Sequence, residues 1–198
     1  MDGVLFNKDM TTLIQFPQGK TITTYDIPGS VKTINELVFN YCKTLTHIGI
    51  PEGVTSIGNL SFYGCEGLTS ITLSNSLIEM GSDAFQGCKN LTIVSIAVEQ
   101  PFAINENVFS ADIYSTATLI VPKGSKEKYE STEGWNRFTL IKEMISDKSL
   151  YSRQANYKFA RTGICLNGEH CQENVPKKVT LWSYILGEEK GRKKGYRC

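Results

Sequence analysis

The residues of this chain with the most chemical potential are its cysteines and its two histidines. Cys42, Cys65 and Cys88 stand 23 residues apart each time (65−42, 88−65), so they occupy one position of a repeated element. Thiols stacked in a column point in parallel, whereas a disulfide needs its two Cβ atoms turned toward each other. Three in a column would also leave one unpaired. The expectation is three free, buried thiols packed as small apolar residues. Cys165, His170 and Cys171 form a Cys-x4-His-Cys run, which is not a standard zinc spacing and has no Cys-x-x-Cys pair beside it. No metal ligand is assigned, although zinc or a 165–171 disulfide stays open for this segment. His47 has no Ser or Cys nucleophile placed beside it by any recognisable motif. Gly58 and Gly81 mark the repeat period and do not belong to a phosphate-binding loop. With carboxylates scattered, neither a catalytic set nor a cofactor is expected.

The period that places the cysteines also places the apolar residues. Ile27, Ile50, Leu73 and Ile96 share the 23-residue step. So do Val31, Val54 and Leu77; Ile34, Ile57 and Met80; Phe39, Phe62 and Phe85; Leu45, Leu68 and Leu91; and Ile48, Ile71 and Val94. A fixed period of this kind means stacked units, each burying its apolar side against the next. Each unit closes with LTHIGI, LTSITL or LTIVSI, whose alternation is that of a strand with one face inside. A turn signal follows: Pro28-Gly29, Pro51-Glu52-Gly53, or Ser74-Asn75-Ser76. Val-x-x-Ile then returns toward the core. The stretches from Gly58 to Gly64 and from Gly81 to Gly87 leave room for one helical turn carrying Phe inward. The expected fold is a repeat solenoid of leucine-rich-repeat type, with 23-residue units. Its short parallel strands lie on one face, and short helical turns or loops on the other.

The run Val-x-x-Ile-Gly-x-x-Ala/Ser-Phe-x-Gly-Cys-x-x-Leu-Thr-x-Ile resembles the BspA-like (Treponema-type) leucine-rich repeat of bacterial and protozoan surface proteins. It is closest at residues 54–71 and 77–94, and the 31–48 unit departs in having Asn35 where later units have Gly58 and Gly81. The resemblance covers roughly residues 2–145. It implies a surface-exposed adhesion or protein-recognition module without catalysis, binding host proteins such as fibronectin or fibrinogen.

Residues 1–147 are read as the repeat domain: a hairpin or first unit at 2–26, three regular repeats at 27–96, and a degenerate repeat with a terminal cap at 97–145. In the last part Leu119–Pro122 reads as the final strand, Ser125 as a helix N-cap, and Trp135, Phe138 and Ile141 as closing the end. Residues 148–198 are a basic tail with 11 Lys or Arg against four Asp or Glu, a balance of +7. Its one strongly apolar run is Val179–Leu186. By subtraction residues 1–147 hold ten basic (21−11) and 16 acidic (20−4) side chains, a balance of −6. Lys190, Arg192, Lys193, Lys194 and Arg197 make a polyanion contact an alternative function for the tail, though no nucleic-acid partner is expected. No run of 18 apolar residues is present, so no membrane span is expected. The first residues lack the basic and apolar regions of a signal peptide. By the resemblance the chain is extracellular or at the cell surface, and Met1 is read as an internal point of a longer array.

On the strands, the inward Ile48, Ile71 and Val94 are flanked by positions that change from unit to unit: His47, Ser70 and Ile93, then Gly49, Thr72 and Ser95. Variable outward positions on a fixed frame suit recognition of a protein partner. These six are the candidate binding residues. Thr46, Thr69 and Thr92 form another column, expected to exchange hydroxyl hydrogen bonds between turns. The alternative for the whole domain is a structural spacer that binds nothing.

Overall fold

The structure, a computed structural model, describes residues 3–144. The expectations for the basic tail, Cys165, His170, Cys171 and Val179–Leu186 included, lie outside the described residues.

The described chain opens with a hairpin of β1 (Leu5–Phe6) and antiparallel β2 (Thr12–Gln15). Asn7 holds the turn: its Oδ1 accepts the N–H groups of Thr11 and Thr12 at 2.8 and 2.9 Å. There follow β3 (Thr24–Asp26), β4 (Thr33–Ile34), β5 (His47–Gly49), β6 (Ser56–Ile57), β7 (Ser70–Leu73), β8 (Glu79–Met80) and β9 (Ile93–Ile96). The end of the unit holds α1 (Ala111–Thr116), β10 (Thr118–Val121), α2 (Lys126–Ser131), a 3₁₀ turn at Trp135–Arg137, and β11 (Leu140–Glu143).

From β2 to β9 the strands alternate between two sheets. The larger has the order β11-β10-β9-β7-β5-β3, all parallel. Its central partners lie one period apart, as in His47↔Ser70 and Ser70↔Ile93 (70−47 and 93−70). The smaller sheet runs β1-β2-β4-β6-β8 and is parallel except at the hairpin.

This second sheet is an addition to the expected parallel strands on one face and short helical turns or loops on the other. Among the described residues the regular units hold no helix. Where helical turns were expected, Leu60 and Asp83 sit at φ of +57° and +58°, like Leu37 at +60° in the preceding unit, and the same stretches end on Gly64 and Gly87 at +68° and +75°. A left-handed residue cannot propagate a right-handed helix. The arm N–H groups instead reach the neighbouring unit: Leu37 to Asn59 O at 3.1 Å, Phe39 to Ser61 O at 2.7 Å, Tyr41 to Tyr63 O at 2.7 Å. Backbone groups satisfied between units have no need of intrahelical partners.

Between the sheets runs one apolar core. Phe39, Phe62, Phe85 and Phe109 stack with ring centroids 5.0, 5.0 and 5.1 Å apart and planes within 12° of parallel. That spacing is close to the distance between paired strands, so the aromatic column has the pitch of the backbone that carries it. Gly58 is required by the same close stacking. A Cβ there would stand 2.5 Å from Glu36 N and 2.7 Å from Asn35 C. Asn35 follows the hairpin rather than a regular unit, which is where the Gly pattern fails in the sequence.

Trp135, Phe138 and Ile141 are buried at the end of the described chain, and Tyr129, outside the expected set, is buried with them. Trp135 Nε1 donates to Phe102 O at 2.8 Å and the Tyr129 hydroxyl donates to Val98 O at 2.7 Å. One expectation is corrected here. β10 is not the last strand: β11 pairs with it in parallel from Thr118↔Leu140 to Val121↔Glu143. In β11 only Ile141 is buried, so its apolar signal is weak. Ser125 stands at the N-cap of α2, but its side chain makes no cap bond. The Glu143 carboxylate accepts from Gly124 N and Lys126 N instead, at 2.9 and 3.2 Å.

Candidate functional site

The larger sheet carries the candidate binding residues. Its inward row is Tyr25, Ile48, Ile71, Val94, Leu119 and Ile141. Alternation puts the rows on either side of it on the outer face. One contains Thr24, His47, Ser70, Ile93, Thr118 and Leu140; the other contains Asp26, Gly49, Thr72, Ser95, Ile120 and Lys142. The six predicted residues are therefore adjacent in two parallel rows.

Their accessibility differs from the expectation. Gly49 is exposed and His47, Thr72 and Ile93 are half-buried. Ser70 and Ser95 are buried, at 6% and 0% exposure. Both are short side chains between longer ones in their row: Ser70 between His47 and Ile93, Ser95 between Thr72 and Ile120. Outward direction does not give exposure when the neighbours rise higher, so these two leave the accessible set. The hydroxyls of Thr72 and Ser95 are buried and have no hydrogen-bond partner among the described residues.

His47 is the one imidazole among the described residues. Its Nδ1 lies 3.0 Å from Ser70 Oγ. Burial pushes its pKa below the ordinary histidine value, while the Asp26 carboxylate and the contact with Ser70 push it back up. The pair is a hydrogen-bonded rung of the sheet with the serine out of solvent.

The threonine column stitches the units, but in a different way from the predicted hydroxyl exchange. Thr46, Thr69 and Thr92 each donate Oγ1 to the backbone carbonyl one unit earlier: Thr23, Thr46 and Thr69, at 3.0, 2.9 and 3.3 Å. The carbonyl is the stronger acceptor within reach.

Cys42, Cys65 and Cys88 are free and buried, as the period implies. Burial pushes the Cys42 thiol up to about 12. The neighbouring Cys88 side chain, then burial, pushes the Cys65 thiol strongly upward. Such thiols are poor nucleophiles and poor metal ligands, because the thiolate is the reactive form.

Parallel units stacked on a shared apolar core, with leucine at the strand entrance and phenylalanine in the arm, define a leucine-rich-repeat protein. Residues 15–131 match the family described as BspA type Leucine rich repeat region (6 copies), and the chain belongs to that family. Among solved structures it is similar to a leucine rich cell surface protein from Faecalibacterium prausnitzii A2-165, at 23% identity and a TM-score of 0.53, covering 71% of this chain and 37% of that one. It is also similar to a leucine-rich repeat protein from Eubacterium ventriosum ATCC 27560, at 26% identity and a TM-score of 0.49, covering 62% of this chain and 32% of that one. The pneumococcal vaccine antigen PcpA gives 20% identity and a TM-score of 0.46, covering 73% of this chain and 47% of that one. The chain thus spans less than half the length of each. No curated protein matches it.

Proposed function

We propose that the repeat domain is a protein-recognition module of a cell-surface protein, a leucine-rich-repeat solenoid of 23-residue units that meets its partner with the outer face of the larger sheet. The observation that carries this reading is the contrast between rows. The inward row stays aliphatic from Ile48 to Ile71 to Val94, while the outward ones change from His47 to Ser70 to Ile93 and from Gly49 to Thr72 to Ser95. A fixed frame with changeable outward side chains is the arrangement repeat proteins use for recognition. The accessible part is His47, Gly49, Thr72 and Ile93. Membership of the BspA type family supports a surface location, as does the name of the F. prausnitzii relative. The partner class is an extracellular matrix or host surface protein.

The test is binding of the full chain to immobilised fibronectin and fibrinogen, compared with Gly49→Trp and Thr72→Arg variants whose melting temperature is unchanged. Saturable binding that both variants weaken supports the reading. Absence of binding, or binding indifferent to both changes, overturns it. A spacer role is the second reading, favoured by the burial of Ser70 and Ser95 and by outward rows without Trp or Arg anchors.

A further inference from the structure

A second surface stands on the arms between the two sheets. Leu37 and Tyr41 are 44% and 49% exposed, and Leu60 and Tyr63 beside them are half-buried. Consecutive units bring these stretches together, since Leu37 N donates to Asn59 O beside Leu60, Tyr41 N to Tyr63 O, and Tyr63 N to Leu60 O. The Tyr41 and Tyr63 rings meet edge to face, with centroids 5.5 Å apart.

The backbone makes this placement costly. Leu37, Tyr41 and Leu60 have φ of +60°, +56° and +57°, in the left-handed region that bulky residues rarely enter. At the period of Tyr41 the next two units carry Gly64 and Gly87. Glycine is the residue that conformation favours, so the first unit holds an aromatic side chain where relaxed geometry asks for none. The next unit also leaves room for it: a Cβ on Gly64 would stand 2.7 Å from a Tyr41 ring carbon. An exposed tyrosine held against its own conformational preference points to use.

The rim is cationic. Lys43 and Lys89 flank Glu66 with Nζ 3.8 and 2.8 Å from its two carboxylate oxygens, and their side chains are 60% and 72% exposed. Two ammonium groups against one carboxylate leave a net positive edge beside the tyrosines.

We propose that this arm surface docks a linear acidic segment of a partner protein, whose apolar side chain rests on Tyr41, Leu37 and Leu60 while its carboxylates face Lys43 and Lys89. Charge selects the acidic partner. Size selects a linear segment: four side chains fall far short of the roughly 800 Å² per partner of a stable dimer interface, which argues against a second copy of this chain. The surface is separate from the strand face and does not depend on it.

The test uses the full chain and a displayed library of random linear peptides. Enriched peptides are expected to pair an aliphatic or aromatic residue with Asp or Glu. Their affinity is expected to fall about tenfold in Tyr41→Gly, and again in a Lys43→Glu, Lys89→Glu double variant, with no change in Thr72→Arg. Tyr41→Gly removes the side chain but suits the backbone, so its melting temperature should not fall and lost binding cannot be blamed on unfolding. The proposal is overturned by no enrichment, or by enriched peptides that bind Tyr41→Gly as tightly as the parent chain.

Discussion

Cys65 Sγ donates to the backbone carbonyl of Phe39, 3.0 Å away and one unit earlier. Cys88 repeats the bond to Phe62 O at 3.2 Å. The column is therefore a set of thiol donors aimed along the stack, parallel to one another and not toward one another. Native protein should react slowly with a water-soluble maleimide at Cys42, Cys65 and Cys88, and rapidly at all three in denaturant. Rapid native labelling of these positions, read by peptide mass, would contradict the packing.

The same burial sets an alkaline limit. Cys42 titrates at about 12 in the fold against an ordinary value of 9.0, so the folded state holds its proton more tightly than the unfolded chain. That contribution is fully present below the unfolded pKa and is lost as pH rises through the folded one. Burial also raises Tyr129 and Tyr114, in the same direction. The melting temperature is expected to fall from about pH 9 upward, and to fall less steeply in Cys42→Ala. A flat profile to pH 11 would refute the linkage.

The stacked rings predict coupled losses. Phe62→Ala and Phe85→Ala should each cost about 3–5 kcal/mol in urea unfolding. Because their centroids are 5.0 Å apart, the double variant should depart from additivity by about 0.5–1.5 kcal/mol. Strict additivity would mean that the rings do not support each other.

Two glycines should respond oppositely to one added methyl group. Gly58→Ala drives a Cβ into the main chain of Asn35 and Glu36 and is expected to destabilise by about 1–3 kcal/mol. Gly49→Ala meets nothing within 4 Å and should be tolerated. Equal effects in thermal melts would overturn the close approach of the units at Gly58.

Glu143 ties the last strand to the start of α2 by two charge-assisted bonds. Glu143→Ala should cost about 1–2 kcal/mol, and Glu143→Gln less, because the amide oxygen still accepts. Faster hydrogen exchange at Gly124 and Lys126 in Glu143→Ala checks the assignment.

Periodicity made most of the frame legible. The step linking Phe39, Phe62 and Phe85 names the core column, and the step linking Cys42, Cys65 and Cys88 names free buried thiols, because identical spacing forces identical environments in stacked units. β11 escaped because Leu140-Ile-Lys-Glu buries one residue and echoes no period. The Glu143 cap escaped because its partners are 19 and 17 residues away. The arm surface at Tyr41 escaped because the sequence shows an irregularity at that position but not the sign of φ.

Local spacing and the alternation of the pleat suffice to name which residues recur and which side of each strand faces inward. The assembled stack of units sets how deep each outward residue lies. Ser70 and Gly49 are both predicted to point outward, yet one is buried and the other exposed. Exposure depends on the height of the neighbours that pairing brings alongside, and His47 and Ile93 reach Ser70 from other units. It likewise decided that the arms bond between units instead of coiling into helices, because that choice needs the next unit in place to supply the acceptors.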